Sequence, residues 1–298
     1  MSFTKNAPDE EAVRLLRYYE GLALHYDVRG YCVCTSEGKD SRVLGHLMRR
    51  ARVRHFYMHS VTGIDPPELV YFQRANFQAY RDLGYLTYDV MCQYSMWQLM
   101  RRKKIPPLRK VRYCCEHLKE RPVPQQGRAI LSLGVRKYES VGRRKKRDEL
   151  EIASDKKRGD NIIMPFDNSE KRRIFETCYQ DNQRRINPLA YWTDSDIWSY
   201  SKDVGLEQCS LYDGWTYGCA LYAACPWRAA AGREQEFNRW PKFRDQYVRT
   251  AQHIIDDKPD SHYFKQKFRS GQEYFDWWMH DRTQEEAKND QIDMWEEA

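Results

Sequence analysis

Residues 31–48 constrain the fold more than any other stretch of the chain. The apolar run Tyr31-Cys32-Val33-Cys34 reads as a short buried strand. It breaks at Thr35-Ser36-Glu37-Gly38, and from Arg42 to Met48 apolar residues return at helical spacing. A strand, a small-residue loop and a helix start bring backbone N–H groups and the positive helix end to one point, which is the form of an anion site. Lys39 adds a cation. Asp40 and Ser41 are suited to cap the helix or, in an active site, to handle metal or phosphate. The GxxxxGK[ST] spacing of a Walker A loop is absent. Taken alone, Ser36–Ser41 also fits a strand-to-helix turn that holds no ligand.

The rest of the first half alternates strand and helix signals, which predicts βαβ units and a parallel sheet. Asp9–Tyr26 reads as one amphipathic helix with acidic residues at its start. Val53–His59 is a second strand, and Pro66-Pro67 opens a helix over Glu68–Leu83 that Gly84 closes. Tyr85–Met91 is a third strand, Ser95–Lys103 a short helix and Arg128–Val135 a fourth strand, with Asn161–Phe166 as the candidate fifth. Lys145–Asp160 is polar and without periodicity, and reads as a loop. Thr193 followed by Asp196 is a capping box, which starts a helix over about Asp194–Val204. Helical spacing returns over Arg228–Ile255 and Gln272–Asp281. The aromatics there (Trp240, Phe243, Tyr247, Phe275, Trp277, Trp278) fit core packing better than base stacking.

A chain of 298 residues with 41% hydrophobic content can bury a large core. Its net charge of +7 favours an anionic ligand, although the run Arg143–Arg147 is equally a solvated face, with nucleic-acid contact as its lesser use. No apolar stretch reaches membrane-spanning length and the N-terminus does not resemble a signal peptide, so a cytoplasmic location is expected. Nine cysteines in such a chain point to metal, redox or packing roles rather than a disulfide framework. Cys32, Cys34, Cys92 and Cys178 read as packing. Cys114-Cys115 and the set Cys209, Cys219 and Cys225 cluster on irregular segments, which suits zinc or an iron–sulfur cluster only slightly better than buried thiols.

Three single sites stand out. An open parallel sheet binds ligands beyond the carboxyl ends of its strands, which puts Thr62, Gly63 and Asp65 beside the first loop. Asp65 fits a helix cap and a ligand contact equally well. Arg136 ends the fourth strand, where its planar fork suits phosphate or sulfate oxygens, and Arg143 follows it. His59, at the end of the second strand, fits a satisfied structural histidine better than a general base.

Ser36-Glu37-Gly38-Lys39-Asp40-Ser41 resembles the SGGKDS pyrophosphate loop of the adenine-nucleotide alpha-hydrolase families, in the branch called phosphoadenosine phosphosulfate (PAPS) reductase-like. Glu37 stands where glycine is usual, and a carboxylate there is positioned to repel phosphate and to restrict the loop's dihedrals. Further matches are Arg112-Tyr113-Cys114-Cys115 through Leu118-Lys119, Gly134-Val135-Arg136 with Glu139-Ser140, and Asn187-Pro188-Leu189 with Trp192-Thr193-Asp194. Cys209-Ser210-Leu211-Tyr212-Asp213, Gly218-Cys219 and Cys225-Pro226 continue the pattern, with five residues between Cys219 and Cys225 instead of two.

The resemblance implies a doubly wound, mostly parallel five-stranded α/β sheet with a C-terminal helical, cysteine-bearing extension. The division expected is a nucleotide-binding domain over 1–204 and the extension over 205–298. It implies nucleotide contacts from Ser36, Gly38, Lys39, Asp40, Ser41, Thr62, Gly63 and Asp65, and catalytic roles for Lys39, Asp40, Arg136 and Arg143. Cys114, Cys209, Cys219 and Cys225 become the expected ligands of a [4Fe-4S] cluster or zinc, and Mg²⁺ is expected with the nucleotide. The activity implied is cleavage of ATP between the α- and β-phosphates to adenylate an acceptor in sulfur transfer, which calls for a sulfur-donor protein and leaves room for a homo-oligomer. One alternative is a reductase releasing sulfite from an adenylyl-sulfate nucleotide, which needs a nucleophilic cysteine on a tail; no cysteine follows Cys225. The other is a nucleotide-binding subunit with weakened catalysis that docks a partner or nucleic acid.

Overall fold

The computed structural model describes residues 8–108, 113–120, 129–139, 150–152, 184–213, 230–257 and 266–280. The chain forms two compact units. The first comprises Met1–Ser60, Pro67–Val90 and Val123–Cys219, and the second Val61–Pro66, Met91–Pro122 and Ala220–Ala298. Among the described residues no helix is long and apolar enough to cross a membrane.

In chain order the strands are β1 (Tyr31–Cys34), β2 (His55–Val61), β3 (Thr87–Met91), β4 (Leu131–Ser132), β5 (Leu150–Ile152) and β6 (Arg184–Ile186). The helices are α1 (Pro8–Tyr18), α2 (Glu20–Tyr26), α3 (Lys39–Ala51), α4 (Pro67–Asp82), α5 (Met96–Lys103), α6 (Tyr113–Cys115), α7 (Asp194–Asp203), α8 (Ala230–Arg239), α9 (Pro241–Asp256) and α10 (Gly271–Met279). The sheet runs β3-β2-β1-β4-β6-β5, with β2, β4 and β6 joined in parallel pairings through β1 and β4, and β5 antiparallel at the edge. This is the expected doubly wound α/β fold, extended by one short antiparallel strand.

Alternation along β1 decides the two faces. Tyr31 and Val33 point to one side, where they pack with Val43, Leu44, Leu47 and Met48 of α3, with Leu16 of α1 and with Ile197 of α7. Cys32 points to the other, among Phe56, Met58, Val90 and Leu131. A strand buried on both faces needs an apolar residue at every position, which is why Tyr-Cys-Val-Cys shows no polar alternation. Tyr57 continues the first face. Its ring stacks on Tyr80 of α4 at 4.2 Å, and its hydroxyl receives Arg49 Nη1 at 2.9 Å.

The order of strands puts the reversal of winding between β1 and β4, and in open α/β sheets that is where ligands bind. β4 pairs with β1 over two residues only, Cys32 with Leu131 and Val33 with Ser132. The chain then leaves the sheet under the start of α3, through Gly134. A Cβ on Gly134 would lie 3.1 Å from both the Asp40 carbonyl carbon and the Ser41 nitrogen. Glycine at this crossing lets the exit from β4 touch the helix start and carries Arg136 to Asp40.

Several sequence expectations are corrected. The helix expected over Asp9–Tyr26 breaks at Tyr19, which takes up φ −95°, ψ 5°, with low-propensity Gly21 just beyond it. The helix expected over Arg228–Ile255 divides at Trp240, because Pro241 opens a new helix and cannot donate into the old one. Lys145–Asp160, expected as a loop, contains β5. Three residues carry too little periodicity to be seen without the partner strand, and β6 was likewise not expected. The candidate strand Asn161–Phe166 lies outside the described residues.

The second unit is built on α9. Tyr247 stacks on Trp278 of α10 at 4.8 Å, and Phe237 of α8 meets both rings edge-on. The Trp278 indole donates to the Pro107 carbonyl at 2.9 Å, so even this polar atom is satisfied in the interior. The aromatic set of this half is therefore core, as its spacing implied.

Candidate active site

The site of the first unit assembles at the carboxyl ends of β1, β4 and β6. Gly38 is the N-cap of α3 and gives no side-chain cap to the helix start. Of the two uses open to Asp40 and Ser41, capping and the handling of metal or phosphate, capping is not taken: both lie inside the helix, past its Gly38 cap. The Ser41 hydroxyl donates back to the Gly38 carbonyl at 3.0 Å and lies 3.4 Å from Ser36 Oγ, while Asp40 turns to two cations. The Gly38 N–H reaches Ser36 Oγ at 3.4 Å, a long contact. The Lys39 N–H donates to the Tyr212 hydroxyl at 3.1 Å.

Two cations and two carboxylates meet here. Lys39 Nζ lies 2.8 Å from Asp194 Oδ1 and 3.2 Å from both Asp40 oxygens. Arg136 Nη2 lies 2.7 Å from the same Asp194 oxygen, and its Nε lies 2.8 Å from Asp40 Oδ1. The cationic side chains are buried, 7% exposed for Lys39 and 5% for Arg136, whereas the Asp194 side chain is 63% exposed. Its partial burial would raise the Asp194 carboxyl, but Lys39 and Arg136 together outweigh that and hold it below the ordinary carboxylate value. The solvent-facing partner of this cluster is thus the Asp194 carboxylate. An incoming oxyanion can take its place without either cation leaving its buried seat.

Glu37, the residue most at odds with a phosphate loop, does not enter the site. It adopts φ +56° and its side chain turns into the protein, 1% exposed. The Thr35 hydroxyl donates to Glu37 Oε1 at 2.9 Å and accepts the Glu37 N–H at 3.0 Å. Arg42 Nη1 stands 3.4 Å from Oε2 and donates to the Tyr80 hydroxyl at 2.7 Å, while Arg42 Nη2 donates to the Glu207 carbonyl at 3.1 Å. Burial pushes the Glu37 carboxyl up, and Arg42, Thr35 and His59 act against it.

His59 has Nδ1 3.1 Å from the Thr35 carbonyl oxygen, which accepts, so the ring proton belongs on Nδ1 and the histidine braces the loop. Thr62, Gly63 and Asp65 belong to the second unit. There the Thr62 hydroxyl donates to Asp65 Oδ2 at 2.6 Å and receives the Ile64 N–H at 3.2 Å, around Gly63 at φ +75°. Cys114 and Cys209 are both buried, in the second and first unit respectively. Cys219, Cys225 and Arg143 lie outside the described residues, and among those described no group of three metal-ligating side chains converges.

Two participants escaped the sequence. Asp194 reads there as one more acidic residue at a helix start. Thr193 and Asp196 already complete that capping box, Asp196 Oδ2 accepting the Thr193 N–H at 2.7 Å, which leaves Asp194 as a surplus carboxylate at the first turn. That surplus is the signal. Tyr212 lies in the matched segment Cys209–Asp213, but its contact with the Lys39 N–H was not legible there, because the two meet only through the tertiary fold.

Comparison with curated sequences finds no significant match. Among solved structures the chain is similar to PAPS reductase from Candida auris in a phosphate complex, at 12% identity and a TM-score of 0.44, covering 72% of this chain and 93% of that one. It is also similar to Candida glabrata FMN adenylyltransferase with ATP, at 12% identity and a TM-score of 0.42, covering 71% of this chain and 62% of that one. The U34-tRNA thiolase NcsA from Methanococcus maripaludis, with its [4Fe-4S] cluster, gives 14% identity and a TM-score of 0.39 over 94% of this chain and 82% of that one. The family model for the phosphoadenosine phosphosulfate reductase domain matches residues 30–221, from the glycine before β1 to beyond Cys219. With that match over well more than half its length, the chain belongs to the phosphoadenosine phosphosulfate reductase domain family.

Proposed function

We propose that the chain is an ATP pyrophosphatase-type enzyme that adenylates an acceptor in sulfur-transfer chemistry. One observation carries the reading: Lys39 from the loop and Arg136 from the end of β4 both reach a single carboxylate oxygen, Asp194 Oδ1, at 2.8 and 2.7 Å. Buried cations focused on one oxygen at a topological switch point suit a phosphoryl oxygen.

In this reading the Lys39 ammonium and the loop Ser36–Ser41 hold the β- and γ-phosphates, with Ser41 ordering the loop and Asp40 fixing Arg136. Arg136, with Arg143, stabilises charge at the α-phosphate while the acceptor's nucleophile bonds to it. The bond from the α-phosphorus to the bridging oxygen breaks, and pyrophosphate leaves with the electron pair. Asp40 would also reach Mg²⁺ carried by the nucleotide. Thr62, Gly63 and Asp65 remain proposed nucleotide contacts.

The test is product analysis of ATP with Mg²⁺. Pyrophosphate and an adenylyl product are expected; release of orthophosphate, or no turnover of ATP beside sulfite release from an adenylyl sulfate, would overturn the assignment. The cysteine set Cys114, Cys209, Cys219 and Cys225 belongs to the same proposal as ligands of a [4Fe-4S] cluster or zinc. Anaerobically purified protein is expected to carry iron and sulfide in equal amounts with a broad visible absorbance, or zinc without sulfide. Protein free of all three would remove the metal from the reading.

A further inference from the structure

Glycine is the residue that occupies a left-handed position without steric strain, and Glu37, at φ +56°, carries a backbone penalty there. The carboxylate adds a second cost, because it is buried. Four groups meet that second cost: the Thr35 hydroxyl at 2.9 Å, the Arg42 guanidinium at 3.4 Å, and, through Arg42, the Tyr80 hydroxyl and the Glu207 carbonyl. Arg42 is itself buried, in the first turns of α3, and its guanidinium lies over the Phe72 ring at 5.1 Å. The side chain of Glu37 thus ties the tip of the loop to α3, to α4 through Tyr80 and to the segment leading to Cys209 through Glu207. A glycine at this position has no side chain with which to do so.

We propose that Glu37 is a positioning residue of the phosphate loop, whose buried pairing with Arg42 and Thr35 holds the loop backbone in one left-handed turn in place of the freedom glycine provides. This rests on the nucleotide reading above for its functional consequence, but not for its structural one. Glu37 touches no substrate and acts through Thr35 and Arg42. Two opposite effects of removing it can be separated. Loss of a negative charge under the loop would favour phosphate, and loss of the anchor would let the loop backbone leave its left-handed turn. In a buried network the anchor dominates, because Arg42 neutralises the charge at close range.

The test uses the full chain as Glu37→Gln, Glu37→Gly and the pair Glu37→Gly with Arg42→Met. Glu37→Gln keeps the acceptor for Thr35 and is expected to hold ATP binding within about threefold of the wild type. Glu37→Gly leaves Arg42 as a buried unpaired cation. It is expected to lower Tm, to weaken ATP binding by about tenfold and to raise KM for pyrophosphate release more than it lowers kcat. Adding Arg42→Met removes that cation and is expected to recover Tm but not ATP binding. A merely structural glutamate would recover both together, and that result overturns the proposal. So does Glu37→Gly binding ATP as tightly as the wild type.

Hydrogen exchange of a peptide spanning residues 35–42, measured without nucleotide, reads the loop by itself. Faster exchange in Glu37→Gly and in the double variant supports the anchor, and unchanged exchange in both overturns it. If the wild-type chain fails to bind ATP while exchange responds as expected, the nucleotide reading fails and the anchor stands.

Discussion

Replacing Arg136 with methionine is expected to slow pyrophosphate release from ATP by about 100- to 1,000-fold, which corresponds to roughly 3–4 kcal/mol of lost transition-state stabilisation. The side chain is buried, and its guanidinium reaches Asp194 and Asp40 at 2.7 and 2.8 Å, so it is already held in one orientation before any ligand arrives. A donor fixed in this way costs no reorganisation when charge develops, and its removal should appear mainly in kcat. On the proposed reading Lys39 remains in the variant to support ground-state binding, so KM should rise only a few-fold. Arg136→Lys keeps the charge without the fork and should recover part of the rate at most. Steady-state kinetics on the three proteins, with thermal unfolding alongside, make the comparison. A variant that changes KM alone would reduce Arg136 to a binding residue, and one within about fivefold of wild-type kcat would place the chemistry elsewhere.

Acidification is expected to destabilise the first unit through His55. This histidine is buried at the start of β2, with Nδ1 2.8 Å from the Val53 carbonyl, Nε2 3.2 Å from the Tyr57 hydroxyl and the Tyr85 ring stacked at 4.7 Å. Burial lowers its pKa to about 4; the bond to Val53 works against this and the nearby Arg49 adds to it. The folded chain therefore refuses a proton that the unfolded chain accepts near the ordinary histidine value of about 6.5. Unfolding takes up protons between those two values, so stability falls as the pH drops through that window and the contribution is complete above it. The whole window is worth about 3 kcal/mol, and about 2 kcal/mol of that lies between pH 7.5 and pH 5. Carboxylate pairs also weaken in acid, among them Asp27, whose Oδ2 lies 2.7 Å from Arg29 Nη2, so the quantity to measure is a difference. Urea unfolding of the wild type and of His55→Gln at both pH values should show the variant losing about 2 kcal/mol less. Equal losses in the two proteins would show that His55 takes its proton inside the fold.

Much of this architecture could be read before any coordinates. β1, the loop and α3 follow from an apolar tetrad, four small or polar residues and a return to helical spacing, because each signal is local. The capping box at Thr193 and the proline opening α4 are legible for the same reason. Arg136 could be placed at a strand end, but its partner could not, since Asp194 comes from a different crossover and meets it only when β6 lies beside β4. Long-range pairing also hid β5 and β6, each of three residues, which gain strand character from one another. The division at Trp240 was in principle visible in Pro241. Continuous aromatic spacing across it masked the break, because both helices present their apolar faces to the same core. Glu37 is the instructive case: the sequence showed a residue in the wrong place for a phosphate loop, and only burial with Arg42 shows where its charge goes.

The exposed carboxylate of Asp194 has a consequence for selectivity. On the proposed reading, a ligand does not fall into an open positive hollow but must evict a resident counterion that two buried cations already satisfy. Such an exchange sets a threshold. Chloride or a lone carboxylate brings no more charge than it displaces, whereas a polyphosphate chain brings several oxygens at once and can also engage the loop. The protein would in this way remain indifferent to the common monovalent anions around it while responding to the one class of solute able to outbid its own side chain.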